Sequence, residues 1–266
     1  MKYAIGACAL LFSASAASAA EEPQVPDISG MWNIGAPAQS AFLSPTDGRA
    51  GPVVHLNPPP VTAGGGAAVY WEGDDTNPML QPWTAEIVRR NAELNRQDNP
   101  PLSAQQACRP HGVPYILQLN DTVQFLQTPD EIVFLYSREM RWRIVHMNTG
   151  HPADLKPDYY GHSVGHWQGN TLVIDTIGLN DKTYTDRFGT PHTDKIHVVQ
   201  RFEVVDADTI HVDFTVEDPG AFTMPWSGIK GYRRGGNYLE QVCAENNRNP
   251  VTDEEYPIPR DDTPDF

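Results

Sequence analysis

The sequence predicts an all-β protein: an antiparallel up-and-down barrel with one helix and a long Pro/Gly-rich N-terminal excursion. Three observations carry that prediction. From Tyr115 onward the chain is a succession of short β-branched and aromatic runs. Turn residues separate the runs at hairpin spacing. Strands and helices never alternate in the rhythm of a βαβ unit, which disfavours a parallel sheet.

The chain opens "MKYAIGACALLFSASAASAA". Lys2 is the basic start, Ala4 to Phe12 an apolar run, and the Ala/Ser string offers a cleavage site after Ala19 or Ala20. Residues 1–20 are expected to be a signal peptide and residues 21–266 a single β-barrel domain, periplasmic or secreted. No other stretch approaches the roughly 20 apolar residues of a membrane-spanning helix, so no membrane insertion is expected. With Lys2 gone from the 19 basic residues, 34 acidic ones leave a charge of about −16. Such a surface repels phosphate backbones and argues against a nucleic-acid partner.

The first expected strand is "DISGMWNI". Its Gly30-x-Trp32 is similar to the G-x-W that plugs one end of lipocalin- or calycin-like barrels. Residues 36–82 follow, largely irregular, with "LNPPPVTAGGGAAV" and "GDDTNP" as breakers. One helix is expected at Trp83 to Gln97, with Thr84 as N-cap, Ile87, Arg90 or Asn91, and Leu94 near one face, and "DNPP" as the stop.

Strands are then expected at "DTVQFLQ", "EIVFLYS", "MRWRIVHM", "TLVIDTI", "KIHVVQRFEVV", "TIHVDFTV" and "NYLEQVCAE". The links "QTPDE", "WQGNT" and "VDADT" have hairpin character. In Thr209 to Glu217, Ile210, Val212, Phe214 and Val216 alternate with His211, Asp213 and Thr215, so one face is buried and the other wet. Eight to ten such strands are best closed into a barrel, because closure removes exposed edges. Cys108 and Cys243 are the cysteines left after processing. They lack C-x-x-C spacing, so an exported chain is expected to join them in one disulfide.

Chemistry concentrates in "YYGHSVGHWQGNTLVIDTIG", which contains Gly161-His162-Ser163-Val164-Gly165, a G-x-S-x-G. A nucleophile elbow needs a strand before the serine and a helix after it. Here a Pro-containing loop precedes Ser163 and strand–turn–strand follows, so the serine-hydrolase reading fails on context. Ser163 is left as a candidate ligand contact on a barrel strand.

Histidine is the better lead. Six of the nine histidines fall between His146 and His197. His162 and His166 would share one strand face, and His166 is a candidate ligand contact. His151 and His192 lie on loops flanking strands, where barrel-mouth groups are mounted, and imidazole suits proton transfer near neutral pH. Asp175 is expected opposite Leu172 and Ile174. On an inward face it would need a partner, and a histidine would supply one. Tyr159 and Tyr160 are candidate acids, while Trp142, Trp167 and Trp226 are candidate walls of an aromatic cavity. Helical zinc signatures are absent; a cross-strand set of His151, His166, His192 and Asp175 is the alternative for a metal. No G-x-G-x-x-G, P-loop or haem motif is present, and no cofactor is expected.

The chain also resembles a family of secreted, mostly uncharacterised bacterial proteins. The residues that carry the resemblance are Gly150-His151-Pro152, the run Gly161 to Trp167, Thr171 to Thr176 and Gly189 to Thr193. Arg201-Phe202, Asp218 to Trp226 and Glu240 to Asn246 complete it. His162, Gln168 and Asn170 stand where the family pattern has Asp, Glu and Asp; His151, Ser163, Trp167, Asp175 and His192 keep to it. The residues themselves point to an exported enzyme, a lyase or hydrolase. It would use histidine acid–base chemistry on an aromatic or sugar-like compound in a barrel pocket, with His151, His192, Asp175, Tyr159 and Tyr160 as its catalytic set. A non-catalytic carrier of a small-molecule ligand and a structural envelope protein are the alternatives.

Overall fold

The computed structural model describes residues 25–35, 41–56, 72–97, 99, 101, 103–104, 107–119, 121–240 and 242–243. The expected signal segment lies outside them. Nine strands close into one barrel in chain order. They are β1 (Gly30–Gly35), β2 (Val123–Gln127), β3 (Glu131–Tyr136), β4 (Arg141–Met147) and β5 (His162–Gln168), then β6 (Thr171–Ile177), β7 (His197–Asp206), β8 (Thr209–Glu217) and β9 (Trp226–Arg234).

The all-β barrel is as expected, but wholly antiparallel pairing is not. β4 and β5 run parallel, and every other neighbouring pair is antiparallel. The cause is parity. Strands that alternate direction round a closed ring must be even in number, so a ring of nine needs a parallel contact. A tight hairpin cannot join parallel neighbours. Residues 148–161 form the crossover instead, returning over the outside of the wall before β5 begins. The parallel ladder is short, from Val145 opposite Ser163 to Met147 opposite Gly165.

Alternation fills the interior. On β8, Ile210, Val212, Phe214 and Val216 are buried and His211 is exposed, as expected, while Asp213 and Thr215, expected in water, are half-buried. Phe125, Phe134, Phe202 and Tyr232 meet inside, with ring centroids 4.4 to 6.3 Å apart. Burying each such side chain contributes about 1.5–3 kcal/mol. These rings form a packed core where a ligand cavity was expected. Trp32 closes the end where β9 finishes: its indole N–H donates to Ile28 O at 2.8 Å and the Arg234 guanidinium lies 4.3 Å over the ring.

The opposite end is covered by the helix and the excursion. Helix α1 spans Pro82–Arg96, with Pro82 in the first turn and Gln81 at the N-cap position without a side-chain cap. Thr84 is therefore not the cap. It is buried, and its hydroxyl donates to Ala221 O at 2.8 Å, tying α1 to the β8–β9 loop. The buried face is Thr84, Val88, Asn91, Ala92 and Asn95, one step round from the expected one. In the excursion, residues 41–56 and 72–81 form no strand or helix. Phe42, Val53, Met79 and Leu80 nonetheless enter the core, and Phe42 packs edge-on against Phe214 at 4.6 Å.

Two further corrections concern the C-terminal part. The closing strand is β9, "WSGIKGYRR", which the sequence pattern hid behind two glycines and a lysine. Gly228 is required there: a Cβ would lie 2.4 Å from the Phe214 ring. "NYLEQVCAE" is not a strand over its described residues. Its Cys243 is joined to Cys108 by a disulfide, with the Cα atoms 5.6 Å apart. No helix among the described residues is long and apolar enough to cross a membrane.

Candidate functional site on the outer wall

Strand parity decides which side chains leave the barrel. On β4, Arg143, Val145 and Met147 point inward, so His146 points out. On β5, Ser163 and Gly165 are buried, which turns His162 outward. On β6, Leu172, Ile174 and Thr176 face in and Asp175 faces out; on β7, Val198 and Gln200 face in and His197 out. The expectation placed Asp175 opposite Leu172 and Ile174 correctly but took its face as the interior. It lies on the outer wall. The crossover lays His151 over the same patch.

The result is a continuous row. Glu131 lies 3.2 Å from His146, whose ring stacks on His162 at 5.0 Å. His162 Nδ1 meets His151 Nδ1 at 2.9 Å, and His151 Nε2 donates to Asp175 Oδ1 at 2.9 Å. Asp175 Oδ2 accepts from His197 Nε2 at 2.9 Å, and Glu217 lies 3.9 Å beyond His197. His151, Asp175 and His197 are all partly open to solvent.

The hydrogen-bond inventory fixes the roles. A carboxylate only accepts, so the protons on the His151 and His197 Nε2 atoms belong to the imidazoles. Neutral His151 then has a bare Nδ1, and the facing His162 Nδ1 is its donor. Partial burial would raise the Asp175 carboxyl, but the bonds from His197 and His151 outweigh it and hold the group below its usual range. His162 is pulled below the usual imidazole value by burial first, then by His151 and His146. An ionised aspartate thus orients one imidazole, and a second, neutral imidazole shares a proton with it.

The remaining expected residues lie elsewhere. His192 is 3% exposed, bonded to the Thr183 hydroxyl at 2.7 Å and Thr193 O at 2.9 Å. It holds a loop together, and burial pushes its imidazole down. His151 and His192 therefore do not converge. Ser163 is 1% exposed and faces the interior, where it accepts from Arg143 Nε at 2.9 Å and meets Thr176 at 3.1 Å. Tyr160 is buried; its hydroxyl bonds Glu139, which also holds His111. Burial and then the Glu139 charge push that phenol well above its usual value, so it keeps its proton. Tyr159 is half-buried, its N–H on Asp158. His166 is exposed and paired with Gln168.

The tryptophans do not line one cavity. Trp226 sits in the core against Phe42, Phe214 and Phe222, and Trp167 packs against the core from its margin. Trp142 is 60% exposed on the outer wall. Among the described residues no group of three or more His, Cys, Asp or Glu is arranged to hold a metal ion; of the expected set, His151 and Asp175 meet, while His166 bonds Gln168 and His192 bonds Thr183. Sequence reasoning missed His146, His162 and His197 as members of the row. All three alternate with inward residues, but which strands are neighbours is not written in the alternation.

These features define a class: a closed nine-strand barrel with a histidine–carboxylate row on its outer wall. No protein-family model matches the chain, and no curated protein matches it.

Proposed function

We propose that the protein is an exported enzyme, of lyase or hydrolase type, that moves protons through Asp175, His151 and His162 on the outer wall of the barrel. His162 Nε2 accepts a proton from the substrate. The proton on His162 Nδ1 passes to His151 Nδ1 along the 2.9 Å contact. His151 becomes an imidazolium whose Nε2–H is already held by Asp175. Reversing the transfer returns the proton to a leaving group. The single observation that carries this reading is the Asp175–His151–His162 alignment, with its outer members open to solvent.

Trp142 stands on the same face of β4 as His146, about 13 Å along the strand at ~3.3 Å per residue. An exposed indole suits stacking against an aromatic or sugar-like compound. Export rests on the N-terminal pattern and accords with the disulfide. A carrier would hold its ligand inside the barrel, where Phe125, Phe134, Phe202 and Tyr232 already touch. The test is a panel of aromatic and glycosidic compounds assayed for hydrolysis or elimination by mass spectrometry. Wild type should form a product that Asp175→Asn forms ~10²–10⁴-fold more slowly. Equal rates for the two proteins on every compound contradict the reading.

A further inference from the structure

We propose that the outer wall beside His162 is a track for an apolar arm, so that the substrate of the row is amphipathic. It joins an aliphatic or aromatic arm to an uncharged or cationic reacting end. The inference rests on the proton-relay reading for which end reacts; the track itself follows from strand register.

Leu126 on β2 pairs with Val133 on β3, and Val133 pairs with Ile144 on β4. The parallel ladder sets Val145 opposite Ser163, so one residue earlier Ile144 comes level with His162. All four side chains point outward, because their chain neighbours Phe125, Phe134, Val145 and Ser163 are buried. Three strand steps of about 4.8 Å give a row of about 14 Å from Leu126 to His162. Beside it runs a second pair, Leu135 and Trp142. Leu126 is 42% and Trp142 60% exposed, while Val133, Leu135 and Ile144 are half-buried. Scattered apolar residues on a surface need no explanation, but a contiguous set with a polar border marks an interaction site. Here the border is the histidine–carboxylate row itself.

The side chains of the track identify the arm. Leu126, Val133, Leu135 and Ile144 carry no hydrogen-bonding group, so a sugar laid there would lose water and gain no partner. An alkyl chain or aryl ring is instead stabilised by the apolar area it covers. Of aromatic and sugar-like compounds, the wall fits the first. Charge identifies the other end. Carboxylates follow His162 on both sides, Glu131 behind His146 and Asp175 behind His151, on a chain of net charge −15. An anionic end placed on His162 is repelled by them, whereas a neutral or ammonium end is not. His151 stands between His162 and Asp175, so the arm runs toward β2 rather than toward β7.

Nitrogen-15 NMR titration of the full chain with octylamine, 1-octanol and sodium octanoate, each below its micelle-forming concentration, tests the track. Octylamine and octanol should shift the amides of β2, β3 and β4 saturably, with octanoate ~10-fold weaker or worse. Butylamine should bind more weakly than octylamine, by about two- to fourfold for each methylene removed. The double variant Leu126→Thr, Trp142→Thr replaces two exposed side chains and so keeps the fold; it should weaken octylamine about tenfold. Val199→Thr, on the outer face of β7 opposite Asp175, should leave that affinity unchanged. Octanoate binding as tight as octylamine, affinity independent of chain length, or equal affinity in the double variant overturns the inference. Turnover by Asp175→Asn judges the relay separately, so either can fail while the other stands.

Discussion

Asp175 is the residue on which the outer row depends, because it accepts from His151 and His197 at once. Its parity on β6 was legible in the sequence, and so was its need for a histidine. Its outward direction was not, since Val173, Ile174 and Thr176 are buried alike. The same ambiguity hid His162. The inward parity of β5 carries Ser163 and Gly165, small because Arg143, Val145 and Met147 fill the space behind them, with Trp167 at the core's margin and Val164 on the opposite face. An observer of the sequence alone finds no apolar face to call inside. Nitrogen-15 NMR of the histidines checks this arrangement without any substrate. His151 should be found protonated at Nε2, and His162 should titrate below 6.5, the value from which burial, His151 and His146 lower it. His151→Ala should move the His162 titration upward by removing one of those causes. An unshifted His162, with His151 protonated at Nδ1 alone, contradicts the row.

At the scale of elements, the crossover and β5 explain the G-x-S-x-G without a nucleophile. Gly161 has φ +62°, and a Cβ there would lie 2.4 Å from Ile177 O. It serves the turn into β5, where the crossover rejoins the wall beside β6. Gly165 faces Val145, whose Cγ1 would be 2.7 Å from an added Cβ. Gly161→Ala should therefore destabilise the protein by about 1–3 kcal/mol through backbone strain. Gly165→Ala should cost a similar ~1–3 kcal/mol through overpacking. Urea denaturation measures both, and values under ~0.5 kcal/mol would contradict the packing. Most strands were legible because their periodicity and turn residues agreed. β9 was not, because its inward positions include Gly228 and Lys230, which make sense only against Phe214, Phe42 and the packed interior. The parallel pair was hidden for another reason. Closure with nine strands is a property of the ring, and no local pattern encodes it.

At the scale of the whole molecule, the barrel carries buried ionisable groups that make its stability depend on pH. Lys230 is 1% exposed. Burial, followed by the Arg187 charge, pushes its ammonium down to about 7. Between that value and the ordinary 10.5, the unfolded chain holds a proton that the folded chain has lost, so stability rises with pH across this window. Near pH 10 the buried tyrosines oppose it: burial holds Tyr115 up to about 12 and raises Tyr232 further, so there the folded state keeps protons the unfolded one sheds. Urea midpoints should therefore rise from pH 7 to pH 9, and Lys230→Met should flatten that rise. Reduction of Cys108–Cys243, which spans 135 residues, should cost about 2–5 kcal/mol in the same assay. The central claim is that chemistry belongs to the outer-wall row rather than to the buried His192. Turnover per folded molecule, with circular dichroism confirming the fold, should fall ~10²–10⁴-fold in His151→Ala and stay within a few-fold of wild type in His192→Ala. Full activity in His151→Ala, or a loss confined to His192→Ala, would contradict it.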